Sequence, residues 1–122
     1  MATKILIIDD EPSVVKMVEF RLKKDGFDVI TAQNGAEGLE KAKAESPDII
    51  LLDILMPEMD GHETLLRLKD SAETRSIPVI MLTAKGQIED IERSSKEGAM
   101  DYISKPYDPV VLLSKIRKAL EG

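Results

Sequence analysis

Lys4-Ile5-Leu6-Ile7-Ile8 runs directly into Asp9-Asp10-Glu11-Pro12. Four consecutive apolar residues, three of them β-branched, read as a strand buried on both faces, because a strand with one wet face would alternate with polar residues. Burial on both faces calls for helices on each side of a sheet. Pro12 suits the first turn of a helix, where its missing N–H has no intrahelical partner to lose. Val14, Val15, Val18 and Leu22 then recur at helical spacing up to Gly26, a candidate C-cap. The same cycle repeats down the chain, with strands over Asp28–Ala32, Asp48–Leu52 and Pro78–Leu82 and helices over Gly35–Ala44 and Gly61–Lys69. A helix over about Gln87–Glu97, a short strand near Tyr102-Ile103 and a helix over about Asp108–Leu120 complete it. Val111, Leu112, Ile116 and Leu120 form the expected inner stripe of that last helix. Five strands alternating with five helices predict an α/β fold, a doubly wound five-stranded parallel sheet, since each crossover helix must return the chain to the same edge.

The length, 122 residues, leaves room for one core, so residues 1–122 are expected to form one domain. With 43% hydrophobic and 33% charged residues, the composition supports a packed interior and excludes a membrane span. The absence of cysteine removes disulfides, thiolate metal sites and thiol nucleophiles. One histidine, His62, leaves little room for a histidine metal site or a serine-type triad; it follows Gly61 at a loop-to-helix junction and is expected to be exposed and structural. A net charge of -6 argues against direct nucleic-acid binding, which needs a basic face. Met1 to Ile8 lacks the apolar stretch of a secretory signal, so the cytoplasm is the expected location. Gly35, Gly38 and Gly61 do not have the spacing of a loop that cradles nucleotide phosphates.

In open parallel sheets, ligands bind beyond the carboxyl ends of the strands. Read there, the first strand ends in Asp9-Asp10, the third in Asp53, the fourth in Thr83 and the fifth in Lys105-Pro106. Taken singly each has an ordinary explanation: Asp10-Glu11-Pro12 as a helix cap with an acidic first turn, Asp53 as a turn residue, Lys105 as solvated surface. Together they are hard to explain that way. Two unit charges 4 Å apart repel by about 4 kcal/mol at an effective dielectric of about 20, so three converging carboxylates need a cation. Lys105 supplies one charge, and an all-oxygen ligand set points to a hard divalent ion, Mg²⁺, for the rest. Such a site is equipped for phosphoryl transfer, with Asp53 as nucleophile and the phosphoryl oxygens held by Mg²⁺, Lys105 and the Thr83 hydroxyl.

These residues, Asp9-Asp10, Asp53 within Leu51-Leu52-Asp53-Ile54-Leu55-Met56-Pro57, Asp60-Gly61, Thr83-Ala84 and Tyr102-Ile103-Ser104-Lys105-Pro106, closely resemble the receiver domain of bacterial two-component response regulators across essentially the whole chain, and in particular the single-domain chemotaxis regulators. The resemblance implies a flavodoxin-like fold with strand order 2-1-3-4-5. It implies Asp53 as phosphoacceptor, Asp10 and Asp53 as direct Mg²⁺ ligands, Asp9 acting through water, and the Leu55 carbonyl completing the protein's share of the metal shell. Lys105, often with a cis bond to Pro106, would bind the phosphoryl group, and Thr83 and Tyr102 would form a switch pair. Implied partners are a histidine kinase or histidine phosphotransfer protein upstream and an effector or fused output domain downstream, with a phosphorylation-dependent dimer left open. The expected function is a signalling switch that assists its own phosphorylation and slow dephosphorylation and is not a metabolic enzyme. Leu55 and Lys85 occupy positions that tune phosphoryl lifetime in the family; Met100 and Tyr107 depart from its common residues and are expected to lie outside the chemistry.

Three other functions fit less well. A flavin module on the same fold would place the flavin phosphate against Asp9-Asp10-Glu11, which would repel it. A Mg²⁺-dependent phosphatase with an aspartyl intermediate lacks its DxD spacing on the first strand. A docking domain with a silent site would not need the intact residue set.

Overall fold

The computed structural model describes residues 2–83 and 88–121. Along the chain run β1 (Lys4–Ile8), α1 (Pro12–Lys24), β2 (Asp28–Ala32), α2 (Gly35–Glu45) and β3 (Ile49–Asp53). They are followed by α3 (Gly61–Asp70), β4 (Val79–Thr83), α4 (Ile88–Glu97), β5 (Asp101–Ser104) and α5 (Pro109–Glu121). The strands form one parallel sheet in the order β2-β1-β3-β4-β5, the flavodoxin-like order that the resemblance implied.

Strand alternation splits the apolar residues into two layers. Ile5 and Ile7, Ile49 and Leu51, Ile80 and Leu82, and Ile103 meet Val18 and Leu22 of α1 and Leu112, Leu113 and Ile116 of α5. Leu6 and Ile8, Ile50 and Leu52, and Val79 and Met81 meet Ala42 of α2 and Leu65 and Leu68 of α3 on the opposite face. Because β1, β3 and β4 are buried on both faces, they carry continuous apolar runs and no period of two.

The differences from the sequence expectation lie at the ends. β3 and β4 each begin and end one residue later than expected, so Asp53 and Thr83 are the last paired residues of their strands. Asp53 pairs in register with Leu82 and Thr83 with Ser104, and the Lys105 amide still donates to the Thr83 carbonyl at 2.7 Å. On α5 the buried stripe is Leu112, Leu113, Ile116 and Ala119; Val111 is exposed and Leu120 only partly covered, a rotation that apolar spacing alone left undetermined. Gly26, with φ of 93°, ends α1 in the left-handed conformation that the cap position requires. The expected start of α4 at Gln87, together with Ala84 and Lys85, falls outside the described residues.

Gly61 fixes where the β3–α3 connection lies. Its amide donates to the Ile54 carbonyl at 2.8 Å, and a Cβ there would come within 2.3 Å of the Asp53 carbonyl oxygen and 2.6 Å of the Ile54 Cα. Both obstacles are backbone, so Gly61→Ala is expected to lower stability by about 1–3 kcal/mol, the usual cost of overpacking. Urea unfolding curves of the two proteins measure it.

Candidate functional site

Alternation and topology together build the site. On the face covered by α1 and α5, Ile5 and Ile7 lead to Asp9, Ile49 and Leu51 to Asp53, and Ile103 to Lys105, so the ends of the adjacent β1 and β3, and of β5 beyond β4, deliver these side chains to one side of the carboxyl edge. β4 is offset by one residue: Ile80 and Leu82 face that same side, and Leu82, not Thr83, is level with Asp53. Asp9 and Asp53 are 1% and 4% exposed, whereas Asp10 is exposed.

Carboxylate oxygens of Asp9, Asp10 and Asp53 lie within 4.8 Å of one another. Lys105 Nζ stands 3.4 Å from Asp9 Oδ2, 3.5 Å from Asp53 Oδ2 and 3.1 Å from Glu11 Oε1. Asp9 Oδ1 accepts from the Glu11 amide at 3.0 Å, while its Oδ2 is buried without a hydrogen-bond partner. The electrostatics follow from this crowding. Burial, then the neighbouring Asp9 carboxylate, pushes the Asp53 carboxyl up to about 7 despite the opposing pull of Lys105 and a hydrogen bond from the Leu55 backbone. Burial works against the Lys105 ammonium, but Glu11, Asp53 and Asp9 together outweigh it and hold its pKa above the ordinary lysine value.

An oxygen-only donor set, with a buried Asp9 oxygen held by the Lys105 ion pair but by no hydrogen bond, fits a small hard cation. A cleft between α1 and the end of β2, lined in part by Asp9, Asp10, Lys16 and Gln33, opens onto the same acids.

A sequence profile of the response regulator receiver domain matches residues 5–117. The chain belongs to this receiver domain family. Protein PilH of Pseudomonas aeruginosa is 40% identical over 119 residues, covering 98% of both chains. The alkaline phosphatase synthesis transcriptional regulatory protein PhoP of Bacillus subtilis is 39% identical over 120 residues, which are 98% of this chain and 49% of that protein. The chain thus spans about half the length of PhoP but nearly all of PilH. In three dimensions it is similar to a putative response regulator from Chloroflexus aurantiacus, with a TM-score of 0.97 and 32% identity over the whole of both chains. The fold and the phosphoacceptor signalling role expected from the residues are those of this family.

Several features of this receiver domain were not legible in the residues. Glu11 joins Asp9 and Asp53 as a partner of Lys105, so three carboxylates face its ammonium, while Asp10 stands with Asp9 and Asp53 but has no ion pair with Lys105 among the described residues. Asp10 does not cap α1: the cap position is Glu11, without a side-chain hydrogen bond, and the first turn holds no acid. The Tyr107 ring packs on the α1–α5 layer with its hydroxyl buried and unpartnered, and burial, then the charges of Asp9, Asp53 and Glu11, push its pKa up. His62, expected to be exposed, is 2% exposed. A period-of-two pattern on β5 beyond Ile103 was the one available pointer to Tyr107; none existed for Glu11 or His62, because their partners come from other elements.

Tyr102 is 38% exposed, with Lys115 Nζ 4.4 Å from its ring centroid and donating to its backbone carbonyl at 2.6 Å. The Thr83 hydroxyl is buried and has no hydrogen-bond partner among the described residues. Lys105-Pro106 is a cis peptide, as the resemblance implied. Among the described residues no helix is long and apolar enough to cross a membrane.

Proposed function

We propose that Asp53 is the phosphoacceptor, that Asp9, Asp10 and Asp53 with the Leu55 carbonyl hold Mg²⁺, and that Lys105 and Thr83 bind the phosphoryl group. The observation that carries this reading is the convergence of the Asp9, Asp10 and Asp53 carboxylates at the strand ends, with the Lys105 ammonium within 3.5 Å of Asp9 and Asp53. When bound, the ion supplies positive charge to the attacking carboxylate and to the transferring phosphoryl oxygens.

An Asp53 carboxylate oxygen attacks phosphorus; the bond from phosphorus to the donor nitrogen or acyl oxygen breaks, and its electron pair leaves with the donor. Lys105, already within 3.5 Å of Asp53, neutralises charge on the transferred group. Phosphorylation takes position 53 from one negative charge to about two and adds acceptor oxygens. The unpaired Thr83 hydroxyl can donate to one of them, and its shift makes room for Tyr102 to turn in from the surface. A hydrogen bond to a charged group contributes about 1.5–3 kcal/mol, enough to shift a two-state population by about 10- to 150-fold.

The donor is a histidine kinase, a histidine phosphotransfer protein or a small acyl phosphate, and the reader is an effector protein, an output domain or a second copy of the chain. The chain works in the cytoplasm as a switch that assists its own phosphorylation and slow hydrolysis, and it is no metabolic enzyme. Incubation with acetyl phosphate and Mg²⁺ followed by intact mass tests the core of this reading: one labile phosphoryl group per chain is expected, and none would overturn it.

The switch role of Thr83 has its own test. Thr83→Val keeps the shape and removes a buried hydroxyl that has no partner, so stability should stay within about 1 kcal/mol of wild type or rise. Asp53 should still be labelled, but the ring resonances of Tyr102 should no longer move on phosphorylation. An unchanged Tyr102 response would remove Thr83 from the switch.

A further inference from the structure

His62 is the second residue of α3, directly after the glycine that lies against the Asp53 carbonyl. Its ring is buried between helices, with Nδ1 2.6 Å from Glu97 Oε1 and Nε2 3.1 Å from Asp90 Oδ1. Asp90 and Glu97 are seven residues apart on α4, two turns along one face, so a single ring placed across that face can reach both. Ionised carboxylates only accept hydrogen bonds, so both ring nitrogens must donate, and only the imidazolium carries two N–H groups. A neutral ring would turn one lone pair toward a carboxylate oxygen.

We propose that His62 is a positioning residue: as an imidazolium gripped by Asp90 and Glu97 it fastens α4 to the end of β3 that carries Asp53, so that the placing of α4 follows the protonation of one buried ring. The surroundings support the charged form. Arg93 pairs with the second oxygen of Glu97 at 3.3 Å, so two positive and two negative charges balance within the cluster. Nearby charges on α3 are engaged elsewhere. Glu63 pairs with Arg67 at 3.7 Å, and Lys69 donates to the carbonyls of Arg75 and Ile77. In the β3–α3 connection, Asp60 accepts from the Glu63 amide at 2.9 Å.

The consequence concerns signalling. α4 follows Thr83 closely in sequence, so one attachment of the helix to the phosphorylation site runs through the end of β4. His62 is a second attachment, through Gly61 and the backbone of β3. It responds to pH where the first responds to phosphorylation. With this second attachment, α4 would be held more firmly when the ring is charged than when it is neutral.

Nitrogen NMR of the His62 ring tests the proposal directly. Both nitrogens should be protonated at about pH 6, and α4 amide resonances should titrate with the same midpoint as the ring. Hydrogen exchange of α4 amides, corrected for base catalysis, should accelerate by about 10-fold or more once the ring is neutral. The double variant Asp90→Asn, Glu97→Gln keeps the shape with neutral partners and should lose the pH response of α4, as should His62→Leu. A ring with one bare nitrogen at about pH 6, or an α4 response unchanged in the double variant, would overturn the proposal.

Discussion

Replacing Asp53 by Asn is expected to abolish phosphorylation by acetyl phosphate, with the labelling rate falling by a factor of about 10³ or more, as removal of an attacking nucleophile does. The substitution is nearly isosteric, so α3 and the Gly61 contact behind the residue should stay in place and the loss will be chemical. Asp9 and Asp10 remain in the variant, yet neither can substitute. Asp9 lies at the floor of the site, paired to Lys105 and bonded to the Glu11 amide, and Asp10 is exposed to water. Only Asp53 combines burial, contact with Lys105 and a place at the end of the central strand. Intact mass after a short incubation decides the matter, since an acyl phosphate is lost on warming in mild base and a phosphoserine is not. Labelling that persists in the variant would move the acceptor to another residue.

The second large effect is on stability without metal. Burial and Asp9 raise the Asp53 carboxyl to about 7 from an ordinary 3.8, so between these values the folded chain binds a proton that the unfolded chain has released. The sign follows from linkage: this group's contribution is most favourable below the unfolded pKa and is lost as pH rises through the folded one. A shift of about 3 units corresponds to about 4 kcal/mol, so metal-free protein should be markedly less stable at about pH 8 than near pH 5. Asp53→Asn, which carries no charge to desolvate, should be stabilised by a similar amount at about pH 8 and little near pH 4. Mg²⁺ needs the ionised carboxylate, so its affinity should weaken by up to about 10-fold per unit as pH falls below 7. Thermal unfolding across pH, with and without Mg²⁺, measures all three trends. A flat pH profile of the metal-free protein would show that Asp53 is not desolvated as its burial requires.

The residues already contained the alternation of strands and helices, because continuous apolar runs and 3.6-residue stripes are local properties that neighbouring segments cannot alter. They contained the candidate site residues Asp9, Asp10, Asp53, Thr83 and Lys105 as well, since each sits at or just after a strand end, and a parallel sheet puts all such ends on one edge. What they did not contain were facts set by rotation and register. Pairing carried β3 and β4 one residue further and made Asp53 and Thr83 part of the sheet, with Asp53 level with Leu82 and Thr83 level with Ser104. Likewise Leu113 and Ala119, not Val111, became core on α5.

His62 and Glu11 show the same division most clearly. His62 reads as exposed from its place after Gly61, and Glu11 as part of an acidic first turn, yet each is engaged by residues far along the chain: His62 by Asp90 and Glu97 of α4, Glu11 by Lys105 after β5. A residue's type and periodicity fix which element it belongs to. Which charges meet across elements depends on how those elements pack, and only the folded chain decides that.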